Sequence, residues 1–309
     1  MVRYRAIEEH DADALGAVLA RWPEVARMQC TNGNDLLSMA TATCDDRTVL
    51  LLLRHGADPS HANLHGWTPL HQVGYANAVH LVAPLLAAGA RPELFGRGDG
   101  GTPLVAALFW GHREVADLLA SEGVSPRNLR AAAGVGDQAL VDELVGTPGA
   151  GIHRAFYRPH SGFPAWAPTD DPQEILDEAL AFAARSGQAA VLRALVGYGA
   201  QLEADVYRGT PLIWAASKGR STAVARLLEL GADPMGRGSY GGESHGHDVT
   251  PLHLAGASGD IATVEILLDA GADASVLDGH GTAPRPAGRA TTATQKSPIS
   301  SMLAVDLAG

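Results

Sequence analysis

At 309 residues, with 46% hydrophobic but only 5% aromatic side chains, the chain has enough apolar surface for a core of closely packed short helices. Its formal charge of −11, with no Lys/Arg run, argues against a nucleic-acid partner because no cationic excess is available to neutralise phosphates. Cys30 and Cys44 match neither a zinc pattern nor a disulfide framework and read as small buried or half-buried hydrophobes, while the lack of a leader-like start or an 18-residue apolar run predicts a soluble, cytoplasmic protein without a membrane partner.

Residues 5–30 read as a polar-fronted terminal repeat. The unit at 34–62 keeps a second helix, RTVLLLLRHGADPS, but has no Thr-Pro start. GWTPLHQVG (66–74) opens the next unit, in whose second helix Pro84 is predicted to bend or break the last turns. GTPLVAALFWGHREVADLLASEG (101–123) comes next, with Val115, Leu118 and Leu119 as the expected buried face. Asn128 to Gly146 reads as a shortened repeat with Leu140, Val141, Leu144 and Val145 as its stripe. A non-repeat stretch, TPGAGIHRAFYRPHSGFPAWAPTDDPQE (147–174), then gives way to the helix EILDEALAFAARSGQ, opened by Asp170-Asp171-Pro172. GTPLIWAASKGRSTAVARLLELGADP (209–234) and TPLHLAGASGDIATVEILLDAGAD (250–273) complete the series.

Two markers keep one phase through these segments. Thr-Pro-Leu recurs at Thr68, Thr102, Thr210 and Thr250, with spacings of 34, 108 and 40 residues: one unit, about three units, and one unit with an insertion. A closing glycine recurs at Gly56, Gly89, Gly123, Gly199, Gly231 and Gly271, preceded in most units by paired leucines. Thr caps the free N–H groups of a helix start, Pro at the first position has no donor to waste, and Gly tolerates the left-handed turn that ends a helix. Neither helix buries its apolar face alone, so units must stack.

With these motifs the chain resembles the ankyrin repeats over most of residues 34–277. The resemblance implies an all-α ankyrin-repeat solenoid of stacked helix–turn–helix units with hairpin loops. It also implies a structural hydrogen bond between Thr68 and His71 and between Thr250 and His253; Val105 and Ile213 replace the histidine elsewhere. The organisation expected is N-terminal repeats over 1–147, an aromatic-rich insertion over 148–173, C-terminal repeats over 174–280 with a loop insertion at 236–248, and a tail over 281–309.

The tail carries no amphipathic stripe. Reading the third base of each residue with the first two of the next, from Thr291 to Leu303, permits Asp-Gly-His-Ala-Glu-Val-Ala-Asp-Phe-Leu-Asp-Ala. That closely matches GHREVADLLAS (111–121), so a frameshifted last repeat from about residue 283 is expected, which leaves Ile266 and Leu267 partly bare. A natural disordered tail is the alternative.

By the resemblance, the function is that of a protein–protein interaction scaffold or adaptor, and the chain is taken as a monomer with an unidentified protein partner. The contact candidates on hairpin tips and groove are His65, Trp67, Phe95, Arg97, Tyr207, Arg208 and Tyr240, although Trp67 and Tyr207 alternatively brace neighbouring hairpins. The insertion adds Tyr157, Arg158, His160 and Trp166 within a stretch holding four of the chain's 16 aromatics, either packed over the repeats or presented to a partner. No nucleophile elbow, phosphate loop or metal grid occurs, so no catalytic residue, metal or cofactor is assigned. Glu243, His245, His247 and Asp248 sit in a glycine-rich loop without dependable ligand spacing. A dedicated inhibitor or antidote of one protein is the alternative within the binding class, and a small-molecule or metal site at the insertion the alternative outside it. Alanine, glycine and arginine usage suggests a GC-rich bacterial genome.

Overall fold

The computed structural model describes residues 9–29, 33–96, 101–123, 127–152, 169–239 and 247–284, which form fifteen α-helices, three short 3-10 turns and no strand. They divide into two compact units, with described residues 9–123 and 127–284. No described helix is long and apolar enough to cross a membrane.

The first unit begins with α1 (Ala12–Arg21), whose entrance is capped by Asp11 accepting from Ala14 N–H at 2.9 Å. Three helix pairs come after it: α2 (Leu36–Ala42) with α3 (Asp46–Arg54), α4 (Pro69–Ala76) with α5 (Val79–Ala87), and α6 (Pro103–Trp110) with α7 (Arg113–Ser121). Where α2 lacks Thr-Pro, buried Asp35 supplies the cap, accepting from Ser38 N–H at 2.8 Å. The second unit contains α8 (Leu129–Val135) with α9 (Gln138–Leu144), α10 (Pro172–Ser186) with α11 (Ala189–Gly197), α12 (Pro211–Ser217) with α13 (Ser221–Glu229), and α14 (Pro251–Ser258) with α15 (Ile261–Asp269). Within each unit first helices pack on first helices and second on second, as in α4 on α6 and α12 on α14. The shortened repeat at 128–146 packs on its C-terminal neighbour, since α8 lies directly against α10.

The second helices bury the residue four before the closing glycine: Leu52, Leu85, Leu119, Leu195, Leu227 and Leu267 are each exposed by 1% or less. This register corrects one expectation. Leu118 is 42% exposed, and the buried face of α7 is Val115, Ala116 and Leu119. Pro84 is a second correction, for α5 runs through it without interruption. Proline removes one N–H near the end of this short helix, and the carbonyl four residues back belongs to exposed His80, which water reaches. Cys44 is a third: it is exposed, at φ 56°, in the left-handed position that glycine fills at the ends of α6, α8 and α10. Leu267 is also fully buried against the preceding repeat, not partly bare, and Ile266 is half-buried.

Two of the inter-repeat junctions use histidine. His71 Nδ1 accepts from Thr68 N–H at 3.2 Å and lies 2.9 Å from the Thr68 hydroxyl, which leaves Nε2–H to donate to Gly101 O at 3.2 Å in the next hairpin. His253 repeats this geometry with Thr250 and with Thr282 O at 3.0 Å. The hairpin Asp278–Thr282 is the counterpart of Asn63–Trp67: in each, the side-chain oxygen of the first residue accepts from backbone N–H groups two and four residues on. Repeat geometry thus persists through Thr282. The frameshift expectation for the tail falls outside the described residues beyond 284.

Between α8 and α10 the sequence carries the long insertion, and the junction chemistry differs there. Counted back from the left-handed glycines Gly136 and Gly187, Arg130 stands at the histidine position of one repeat and Glu178 at the threonine position of the next. Arg130 Nη1 meets Glu178 Oε1 at 2.9 Å, and both side chains are fully buried. Helix α10 is twice the usual length, opened by Asp171 accepting from Gln173 N–H at 3.1 Å, and its extra turns carry Ile175 and Leu176 into the core.

Candidate functional site

The face of the first helices not used for packing differs between the units. In the first unit it is aromatic. Trp67 stacks on His71 with centroids 5.7 Å apart and meets Tyr75 edge-on at 6.0 Å; Tyr75 in turn meets Trp110 at 5.1 Å, and Trp110 meets Phe109 at 5.3 Å. Edge-to-face contacts of this kind suit the ring quadrupoles. Trp67, Tyr75 and Phe109 are buried and only Trp110 is half-buried, so this run is mostly internal bracing. Burial pushes the Tyr75 hydroxyl above its ordinary pKa.

The hairpin tips of the same unit are the opposite case. Leu64 is 68% exposed and Phe95 39% exposed, on successive hairpins. The first of these tips is held firmly. Asn63 Oδ1 accepts from His65 N–H at 2.9 Å and Trp67 N–H at 3.0 Å, while its Nδ2 donates to Asn34 Oδ1 at 2.8 Å in the preceding hairpin. His61 Nε2 reaches Gly33 O at 2.9 Å. A Cβ on Gly33, whose φ is 79°, would come within 2.9 Å of the Leu64 nitrogen, so glycine is what lets the two hairpins close.

In the second unit the corresponding face is charged. Glu178 takes the Arg130 ion pair and a hydrogen bond donated by the Tyr207 hydroxyl. Phe182 lies under Arg130, 5.5 Å from the guanidinium carbon to the ring centre, and 6.2 Å from Tyr207. Arg185, also buried, stacks its guanidinium on Trp214 at 3.7 Å, and Trp214 Nε1 donates to Val206 O at 3.0 Å. Lys218 lies one helical turn beyond Trp214, at the end of α12, and is half-buried. Burial first, then the Arg185 and Arg220 charges, lower its pKa to about 8. Burial pushes the Tyr207 hydroxyl far up, with the Glu178 charge adding to it.

These placements sort the candidates. His65 is half-buried on its tip and Phe95 is exposed, whereas Trp67 and Tyr207 are only 3% and 7% exposed and present little surface to a partner. Arg208, at φ 68°, is half-buried and donates from Nη2 to Ser239 O at 3.0 Å, tying together the hairpins on either side of α12 and α13. Arg97, Tyr157, Arg158, His160, Trp166 and Tyr240 lie outside the described residues, as do Glu243 and His245. His247 Nδ1 is 2.7 Å from Asp248 Oδ2, and no group of three metal-ligating side chains occurs among the described residues. Sequence reasoning passed over Leu64, Arg130, Glu178, Arg185, Trp214 and Lys218. Leu64 had a signal, being a leucine in a turn with no stripe to join.

Family models for ankyrin repeats match residues 9–128, 129–237 and 247–279. The chain belongs to the ankyrin-repeat family. Repeats of this family generally mediate protein–protein interaction and are typically not enzymes. Among curated proteins, the chain is 31% identical over 193 residues to the ankyrin repeat protein nuc-2 of Neurospora crassa, covering 59% of this chain and 16% of that protein. It is 40% identical over 79 residues to SMC5-SMC6 complex localization factor protein 1 of Bos taurus, covering 25% of this chain and 7% of that protein. The chain thus spans a small fraction of both relatives. The human ASB11 ankyrin repeat domain aligns over 86% of this chain and 97% of its own length, at 19% identity and a TM-score of 0.38.

Proposed function

We propose that this ankyrin-repeat chain is a non-enzymatic adaptor that reads one protein partner with its hairpin tips, its first-helix face and the 148–173 insertion. The observation that carries the reading is the pair Leu64 and Phe95: two large apolar side chains exposed on successive hairpins, the first of them braced. Apolar groups held rigid in water favour association because little ordering entropy remains to be lost. His65 and Arg97 flank them as polar rim, Arg208 and Tyr240 belong to the hairpins of the second unit, and Tyr157, Arg158, His160 and Trp166 supply aromatic and guanidinium anchors of the type that dominates interfaces.

Affinity capture from the source lysate tests the reading with three baits. These are the parent chain, Leu64→Ser with Phe95→Ser, and Tyr157→Ala with Arg158→Ala and Trp166→Ala. One protein retained by the parent and lost from the first variant, with helical content unchanged, is the expected result. Loss only from the second variant moves recognition to the insertion. Equal retention by all three removes both surfaces from the reading.

A further inference from the structure

The last described repeat, α14 with α15, is open on the side where the repeats before it in the same unit meet their successors. Three left-handed glycines mark that side. A Cβ on Gly136, Gly187 or Gly219 would come within 2.5, 3.1 or 2.9 Å of Gln188, Arg220 or Asp260, the residue that opens the second helix of the next repeat. At Gly259, the same place in the last repeat, no described atom lies within 4 Å. The helices agree. Three residues before the closing glycine, Val196 and Leu228 are half-buried against the core, whereas Leu268 is 43% exposed. Gly256 is half-buried where Ala184 and Ala216 are buried. Yet the chain goes on as it does between repeats. Asp278 to Thr282 forms the connecting hairpin, and His253 lies 3.0 Å from its Thr282 carbonyl. Pro284 follows Asp278 as Pro69 follows Asn63, and Pro69 is the first residue of a first helix.

Spacing fixes where the remainder of such a repeat lies. Pro103, Pro211 and Pro251 lead to the left-handed glycines Gly111, Gly219 and Gly259, and these to the closing glycines Gly123, Gly231 and Gly271, at constant intervals. Counted from Pro284, the two glycines fall at places 292 and 304. In the frame that joins each third base to the first two bases of the next residue, Thr292 with Ala293 permits the first glycine, and Ala304 with Val305 permits the second. Between them, Lys296 with Ser297 permits valine at the place of Val115, and Ser300 with Ser301 permits leucine at that of Leu119. The last two bases of each shifted codon come from the next residue, so this agreement in phase is not freely adjustable. We propose that the open side of α14 and α15 is a docking face for one further ankyrin repeat of this same protein, carried by the shifted frame beyond residue 283. A histidine follows the first glycine in that frame, as His112 follows Gly111. His112 Nδ1 lies 2.8 Å from Gly74 O, so the corresponding acceptor is Gly256 O. The valine and leucine supply the apolar stripe that a repeat buries only by stacking. A second copy of the chain fits less well, because the entering hairpin already belongs to this one. The inference is independent of the adaptor reading.

The nucleotide sequence of the gene is the first test. Bases that spell the helix in the shifted frame from Thr291 to Leu303 are expected, and any others overturn the occupant. The second test joins the chain after Pro284 to a copy of its own residues 104–111 and then to the shifted-frame helix, from its histidine to its second glycine. Hydrogen exchange in α14 and α15 should slow at least about tenfold relative to the parent chain, since stacking adds a neighbour to the terminal repeat. Leu268→Asp should abolish that slowing in the joined chain yet change exchange in the parent by less than about twofold, because an exposed side chain contributes little there. No slowing in the joined chain, or an equal effect of Leu268→Asp in both chains, overturns the docking face. A parent chain that sediments as a dimer and becomes monomeric with Leu268→Asp overturns the commitment to a further repeat and assigns the face to a second copy.

Discussion

The two units share one backbone plan and differ in what they put at the junctions between repeats. In the first, His71 bridges a threonine and a hairpin carbonyl, and an aromatic run from Trp67 to Phe109 fills the free face. In the second, at the junction that the long insertion interrupts in sequence, Arg130 and Glu178 take the histidine and threonine places and Tyr207 hydrogen-bonds to Glu178. The contrast shows what this position of the repeat tolerates. It carries a polar link at His71, His253 and Arg130 and an apolar side chain at Val105 and Ile213. A neutral imidazole suffices for a carbonyl. Beside the long insertion a buried, paired charge stands in its place.

The sharpest way to break this comparison is to remove one half of the pair. Glu178→Ala leaves a buried guanidinium without its carboxylate and should cost about 3–5 kcal/mol of stability in the second unit. Urea unfolding monitored by hydrogen exchange resolves the units, and the loss should be confined to α8 to α12. The double change Arg130→Met with Glu178→Leu should recover most of it, since buried pairs replaced by apolar residues of similar volume are often neutral. A single variant as stable as the parent, or a double no better than the single, means the ion pair is not the junction.

The same contrast sets how much of the fold and site is legible in the sequence. The repeat itself is, because Thr-Pro-Leu and the closing glycines are local signals tied to local geometry, and Thr68 with His71 stands within one helical turn. The register of α7 reads one residue out because Leu118 and Leu119 are both leucine, and only distance from Gly123 distinguishes the buried one. Arg130 and Glu178 are invisible for a different reason. They are 48 residues apart across a non-repeat stretch, and each reads as an ordinary charged helix residue. Nothing in composition marks a charge as buried; that depends on which helix packs on which. Trp214 and Lys218 are hidden similarly, their environment being set by Arg185 of the preceding repeat.

The histidine junction has its own signature, in pH. Burial holds the folded-state pKa of His71 down at about 4, against 6.5 for the unperturbed ring, with only the Gly101 carbonyl pulling the other way. The unfolded chain therefore binds the proton more readily than the fold does. The stabilising contribution is full above pH 6.5, declines as pH falls toward 4, and levels off below. The loss should reach about 2 kcal/mol by pH 5 and on the order of 3 kcal/mol in all. His71→Gln should be less stable at pH 7.5 but lack this component of the decline, so parent and variant converge on acidification. Parallel stability curves from pH 7.5 to 4.5 would mean that His71 is not the titrating group. Exchange protection in α4 and α6, which His71 helps to join, should fall as its ring takes up the proton.

The smallest effect on stability separates surface from scaffold. Leu64→Ser removes an apolar group that is 68% exposed, so it should move the unfolding free energy by less than about 0.5 kcal/mol, while Phe95→Ser, at 39% exposed, should cost somewhat more. Trp67→Ala, in the same hairpin as exposed Leu64 but itself 3% exposed, should cost about 3 kcal/mol or more because a buried ring leaves a cavity. Residues so close in sequence and so different in cost distinguish the two roles that a large hairpin side chain can have. If Leu64→Ser proved as destabilising as Trp67→Ala, the tip would be part of the packing between hairpins. Its exposure would then say nothing about a partner. If the serine variants fold as well as the parent and lose the captured protein, the side chains are there for the partner alone.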